Sequence, residues 1–374
     1  MYNALISVFG IIMTAMAVTR QSYHRLNKAS RAQMRLPGQR GIYPRMRASK
    51  LRILVFGGTN FVGQATVVEA LARGHDVTTF NRGTKPAPEG AKAIVGDRLA
   101  PDGYKGLDGL TFDTVIDTWW GDPVAVRSAV ATLSGRISHY IYISTISVYD
   151  RGRTKPPLSE ESPLLDPDHC DFTYGADKRS GEIAAEGANV PVLIPRPGVI
   201  VDPREGIDGR LHWWLGRMER GGLTLAPGPR DNGLQYVDVR DLAAFVVTGA
   251  ETGLSGVYNL LSQPKHTTIG ELLDTANSIA GGRAQLIWKD PETILKAGIS
   301  PWSELPCWHP PGLEHDWVCN CKAEKAFAIG FRARPVRETL ADSWAWLQTQ
   351  TEKPPIYGRK WGLDPAKEAA VLGE

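Results

Sequence analysis

The sequence predicts an α/β fold, a doubly wound parallel sheet with a smaller, discontinuous lobe. Three observations carry this. A strand, a glycine turn, a helix and a second strand follow one another within residues 51–82. Short apolar runs of strand length then alternate with helical segments as far as Ile194. At 374 residues the chain has room for two domains, or for one large α/β domain with a lobe.

In chain order, residues 1–50 stand apart. They carry nine of the 43 Lys/Arg and none of the 40 Asp/Glu, so the rest of the chain is mildly acidic. An acidic body argues against a broad nucleic-acid surface. Ala4 to Val18 is apolar but short for a membrane span, and it has neither a basic lead-in nor a clear cleavage site. The segment reads as a disordered or untranslated extension, with a start at Met46, or else as a transit peptide or anchor. The four cysteines make no disulfide framework and fit a reducing compartment. A cytoplasmic location is expected, with organellar import or anchoring by residues 1–50 as the alternative.

Ile53 to Phe56 has the apolar and aromatic character of a buried strand. Gly57, Gly58, Thr59, Asn60, Phe61, Val62 and Gly63 then lead into a helix with Val62, Ala65, Val68 and Leu71/Ala72 on its apolar face. Glycines at such a turn let the backbone approach a pyrophosphate, which the free N–H groups of a helix start attract. Asn60 stands where the pattern usually has its middle glycine, and Asn tolerates left-handed backbone angles. The second strand, Val77 to Phe80, ends at Asn81-Arg82-Gly83. An acidic residue there would bind a ribose 2′-hydroxyl; neutral Asn81 and cationic Arg82 suit a 2′-phosphate and hence NADP, with NAD as the alternative if Arg82 is a solvated loop arginine.

Ala93 to Val95 reads as a third strand, followed by Asp97, either an adenine contact or an ordinary turn aspartate. Thr114 to Asp117 is a fourth strand whose C-terminal end presents Trp119, as a cofactor wall or as packing. A helix over Pro123 to Leu133 turns Val124, Ala125, Ala129, Val130 and Leu133 to the sheet, and Tyr140 to Ile143 forms a fifth strand. Tyr174 and Lys178 are one helical turn apart and share a face. An ammonium beside a phenol favours phenolate and makes Tyr174 a general acid/base near neutral pH. Thr145, at the end of the fifth strand, supplies a hydroxyl to orient the substrate oxygen.

These pieces together resemble the extended short-chain dehydrogenase/reductases, the NAD-dependent epimerase/dehydratase family. The matching segments include GGTNFVG (57–63), FNRG (80–83), YISTISVY (142–149), YGADK (174–178) and RPGVIVDP (196–203). The GGTxFxG turn marks a subgroup containing reductases, sugar-nucleotide epimerases and chloroplast stem-loop RNA-binding proteins. The resemblance implies Tyr174 as acid/base, Lys178 lowering its pKa and holding the nicotinamide ribose, Thr145 in the Ser/Thr position and Asp97 on adenine. It also implies a Rossmann domain of residues 51–195 with 235–263, a substrate lobe of 196–234 with 264–350, and a tail from 351 to 374.

Val190 to Ile194 reads as a sixth strand, Leu211 to Arg220 as a lobe helix, and Gln235 to Val239 as a return to the core before a helix over Arg240 to Ala250. Thr268 and Glu271 form a capping box. Arg196 is expected in a salt bridge or facing ligand, and Asp238, Arg240 and Asp241 at a helix start. Cys307, His309, His315, Cys319 and Cys321 are close in sequence, but C-x-C is tight for zinc, and a loop lining the lobe is the better reading. The expected function is NAD(P)-dependent hydride exchange with a hydroxyl or carbonyl of a small molecule, such as a sugar nucleotide. The rival is a non-catalytic nucleotide-sensing or RNA-binding protein. Neither nucleic acid nor membrane is expected as a partner, and a homodimer is compatible with the fold.

Overall fold

The computed structural model describes residues 49–206, 209–354 and 361–373. Every expectation placed on residues 1–48 lies outside them. The main sheet begins with β1 (Arg52–Phe56), β2 (Asp76–Asn81), β3 (Lys92–Val95), β4 (Thr114–Asp117), β5 (His139–Tyr142) and β6 (Val192–Pro197). Shorter strands follow: β7 (Ile200–Val201), β8 (Gly222–Pro227), β9 (Gly233–Leu234) and β10 (Val237–Asp238). Last come β11 (Gly256–Leu260), β12 (Thr267–Thr268) and β13 (Ala284–Lys289). The seven-stranded sheet has the order β11-β6-β5-β4-β1-β2-β3, and each neighbouring pair in it is parallel. The order reverses direction at β1, with β2 on one side and β4 on the other, so a crevice opens above the C-terminal ends of these strands.

Both faces of this sheet are covered, which is why its inner strands are apolar without alternation. Ile53, Leu54, Val55 and Phe56 are all fully buried, although successive side chains point to opposite faces. One face packs on α1 (Phe61–Ala72), the other on α2 (Val124–Thr132) and α3 (Thr173–Glu186). The buried side of α1 is Val62, Thr66, Val67 and Ala70, while Val68 is exposed. That corrects the expected apolar face. The helix also packs on another helix, Val239–Thr252, and Arg73 at its end bonds Thr248 and Glu251 there. On α2, Ala125, Val126, Ala129 and Leu133 are buried and Val124 is exposed.

The later residues build a second core around Trp213, Trp214, Met218, Leu272 and Trp308. Helices α4 (Arg210–Arg220) and α6 (Ile269–Ile279) belong to it, whereas α5 (Val239–Thr252) between them packs on the main sheet. Strands β8 and β13 pair in parallel there, an association with no sequence signal because the partners lie far apart in the chain. The return segment Gln235 to Val239 forms only β10, which pairs with β7. The strand that rejoins the main sheet is β11, beside β6. Thr268 accepts from the Glu271 amide at 3.1 Å, as a capping box requires. Within the expected tail, residues 361–373 are packed against the second core. Leu363 is buried, and Glu368 accepts from Arg217 Nε and from the Leu225 amide, each at 3.0 Å. An exposed-looking PAKEAAVL run hid this because its partners lie more than a hundred residues upstream.

Candidate active site

The glycine turn between β1 and α1 meets the demands of a dinucleotide phosphate cradle. Gly57 has φ +83° and faces solvent, and a Cβ at Gly63 would fall 2.2 Å from the Gly57 carbonyl oxygen. Helix start and strand end therefore sit as close as bare backbone allows. Val62 is buried and Thr59 half-buried at the turn. Asn60 occupies the N-cap position but makes no side-chain cap, so the first N–H groups of α1 are not taken by it. The left-handed angle expected at Asn60 is not there. Asn60 is extended, with φ −148°, and the positive φ falls on Phe61 at 42°, a conformation rare for an aromatic residue.

At the ends of β2 and β3, the Asn81 side-chain oxygen accepts from the Gly83 amide at 2.9 Å and folds the chain back. Arg82 is exposed and makes no ion pair among the described residues. Asp97 is exposed, and one carboxylate oxygen accepts from the Leu99 amide at 3.1 Å, as a turn aspartate does. The Gly96 amide donates to the Asn81 carbonyl at 3.0 Å, so Asn81, Arg82 and Asp97 share one edge of the crevice.

The end of β4 holds a pair that the sequence did not reveal. Arg98 donates both terminal nitrogens to Asp117, each at 2.7 Å, with both side chains almost completely buried. Asp117 also accepts from Tyr140 Oη at 2.6 Å and from the Trp119 amide at 2.9 Å. Burial raises the carboxyl pKa, but Arg98 and these donors outweigh it and leave Asp117 below the usual carboxylate range. The guanidinium lies 4.3 Å from the Phe56 ring centroid and 5.0 Å from that of Trp119. Trp119 is thereby fixed as a half-buried wall, its Nε1 donating to the Asp122 carbonyl at 2.8 Å. A Cβ at Gly57 would meet Thr118 Oγ1 at 2.4 Å, so the β4 end and the glycine turn form one continuous rim.

Tyr174, Thr145 and Lys178 converge beside this rim. Thr145, buried at the end of β5, accepts from the Ser147 amide and shares a hydrogen bond with the Tyr174 side chain. Lys178 is 3% exposed and donates to the carbonyls of Trp119 and Ile143, both at 2.6 Å. Its ammonium thus ties α3 to the ends of β4 and β5. One expectation is corrected here. The Tyr174 phenol lies above its ordinary pKa because burial disfavours phenolate, and the bond with Thr145 only partly offsets this. Lys178 is itself pulled down to about 7, first by burial, with Asp117 and Glu182 opposing. No lowering by Lys178 offsets the rise at Tyr174, since an amine at about 7 is already neutral where a phenol titrates.

Arg196 is structural. It grips Glu182 through two bonds of 2.8 Å, with both side chains buried, and Ser144 Oγ donates to the same carboxylate at 2.5 Å. Asp238 caps α5 through the Arg240 amide at 2.9 Å, as its position suggested. The Cys/His group is divided. Cys307 and Cys319 border an apolar cavity of about 20 Å³, whereas Cys321 belongs to a different core cluster with Tyr149 and Leu158. Among the described residues no group of three or more His, Cys, Asp or Glu is placed to hold a metal, and no helix is long and apolar enough to cross a membrane.

Comparison with known proteins agrees with this geometry. Residues 123–260 match the model of the NAD dependent epimerase/dehydratase family. The 2′-dehydrokanamycin reductase of Streptomyces kanamyceticus is 29% identical over 171 residues, which are 43% of this chain and 46% of that protein. The chloroplast stem-loop binding protein of 41 kDa b from Arabidopsis thaliana is 27% identical over 253 residues, 63% of this chain and 64% of that one. The chain therefore spans less than two thirds of either relative. Among solved structures, UDP-N-acetylglucosamine 4-epimerase from Bacillus cereus superposes with a TM-score of 0.60 at 17% identity, covering 82% of this chain and 99% of the other. Bordetella bronchiseptica WbmG, in complex with NAD and UDP, gives 0.58 at 19% identity, covering 82% and 96%. The likeness in these structures is one of fold, and residues 123–260 are the part of the chain that is similar to the NAD dependent epimerase/dehydratase family.

Proposed function

We propose that the protein is an NADP-preferring oxidoreductase or epimerase that exchanges hydride with a hydroxyl or carbonyl carbon of a small substrate. The observation that carries this reading is the Tyr174–Thr145 hydrogen bond, one helical turn from Lys178, on the rim that includes the glycine turn. A dinucleotide fits the residues present. The α1 N-terminus and Gly57 to Gly63 would hold the pyrophosphate, Arg82 the 2′-phosphate, Asp97 the adenine edge, and Lys178 the nicotinamide ribose. Once bound, the nicotinamide supplies the hydride donor or acceptor.

The protein's own part is positioning and proton transfer. Thr145 orients the substrate oxygen through its hydroxyl. Tyr174, held protonated by burial, is suited to donate a proton to a carbonyl oxygen as hydride arrives at carbon. Reduction is thus the direction its resting state favours. Trp119, immobilised over Arg98, walls the site against water. Sugar nucleotides head the candidate substrates, since the similar 4-epimerase is named for one and WbmG is complexed with UDP.

The test is to titrate the full chain with NADPH and NADH, then follow NADPH oxidation against sugar nucleotides and small ketones. Saturable binding with turnover that fails in Tyr174→Phe supports the proposal. A second reading, non-catalytic RNA binding, draws on the likeness to the chloroplast stem-loop binding protein. Salt-dependent RNA binding that is identical in Tyr174→Phe, with no dinucleotide affinity, would favour it instead.

A further inference from the structure

Asn60 is the residue type best suited to cap the helix it precedes, yet its side chain makes no cap. Its oxygen instead accepts from Lys85 Nζ at 3.0 Å, a contact across 25 positions. Three features deliver Lys85 to that place. The Asn81–Gly83 bond folds the chain back as it leaves β2. Gly83, at φ +76°, passes so close to Val95 that a Cβ would lie 3.1 Å from its side chain. Pro86 and Pro88 then stiffen the chain beyond Lys85. Between Asp76 and Glu89 the chain carries two cations, Arg82 and Lys85, and no acidic residue. Both cations are exposed, Arg82 at the outer edge of the crevice and Lys85 against the glycine turn.

We propose that Asn60 and Lys85 form a clasp that makes Lys85, with Arg82, a determinant of NADP over NAD by engaging the ribose 2′-phosphate. This rests on the dinucleotide reading of the site and deepens it. An ammonium has three N–H donors, so one can remain on Asn60 while the others reach phosphate oxygens. The clasp also explains why the middle position of the turn is Asn. With φ at −148° a glycine is not required for the backbone, and a side-chain amide oxygen is what Lys85 needs.

The test measures NADPH and NADH affinity of the full chain by fluorescence, with 2′,5′-ADP and 5′-ADP as calorimetric probes of the 2′-phosphate alone. Lys85→Ala should weaken NADPH and 2′,5′-ADP about tenfold, the value of one charge-assisted contact, and leave NADH and 5′-ADP within about twofold. Asn60→Ala should give a smaller loss of the same selectivity, and Lys85→Arg should largely restore it. Equal weakening of both dinucleotides would assign Lys85 to the pyrophosphate and overturn the proposal, as would no change in either. Wild-type preference for NADH would also overturn it while leaving the dinucleotide site intact. Failure of the wild type to bind either dinucleotide would remove the underlying functional reading as well.

Discussion

Replacing Asp117 by Asn tests whether the buried Arg98–Asp117 pair fixes the floor of the crevice. Asp117 is fully buried and accepts four hydrogen bonds, two from Arg98, one from Tyr140 and one from the Trp119 amide. Asparagine keeps the shape but exchanges one carboxylate oxygen for an NH₂ group that faces donors. At least one charge-assisted bond is lost, and Arg98 is left with its charge and no counter-ion. Arg98 has no escape by deprotonation, because a guanidinium keeps its proton throughout the pH range in which proteins fold. Breaking one side of such a pair costs about 3–5 kcal/mol, against about 1 kcal/mol or less for an exposed pair. Urea unfolding, followed through the fluorescence of the 11 tryptophans, measures the difference. The double variant Arg98→Met/Asp117→Leu removes both charges and should recover most of the loss. A cost below about 1 kcal/mol for Asp117→Asn would refute the reasoning, since that is the value of a solvated pair.

Tyr174→Phe should reduce turnover by about 10²–10⁴-fold, the usual share of a general acid, with NADPH affinity unchanged within about twofold. A mutant retaining wild-type kcat would remove Tyr174 from the chemistry. Lys178 has a pH signature. Its pKa is about 7 in the folded protein against an ordinary 10.5, so between these values the unfolded chain binds the extra proton. Folded stability relative to Lys178→Gln should therefore rise with pH across this window, by roughly 1.4 kcal/mol per pH unit at most, and level off below about pH 7. A wild-type-minus-variant difference that stays flat from pH 7 to 9 would show that the buried amine keeps its proton.

What could be read from the sequence was what is encoded locally. The glycine turn lies within seven residues, so the strand–turn–helix–strand unit and the parallel α/β sheet followed from spacing and fold rules. Asp238 at a helix start and the Thr268–Glu271 box were legible for the same reason. The Arg98–Asp117 pair was not, nor was Glu182 as the partner of the salt bridge expected at Arg196, because each pair joins different elements and leaves no periodic trace. The Lys178 ammonium illustrates a finer limit. Spacing placed it beside Tyr174, but backbone carbonyls at the ends of β4 and β5 decided where its charge went. The turn's positive φ falls on Phe61 while Asn60 stays extended, its side chain bonded to Lys85 and not to the helix start, a contact between residues 25 apart that no local pattern encodes.

The most direct measurement is a fluorescence titration of the full chain with NADPH and NADH, run beside Gly63→Ala. A methyl group at position 63 would sit 2.2 Å from the Gly57 carbonyl oxygen and force the turn apart. The account predicts saturable binding by the wild type, tighter for NADPH, and its loss in a folded Gly63→Ala protein. Equal binding by both proteins, or none by the wild type, would contradict it.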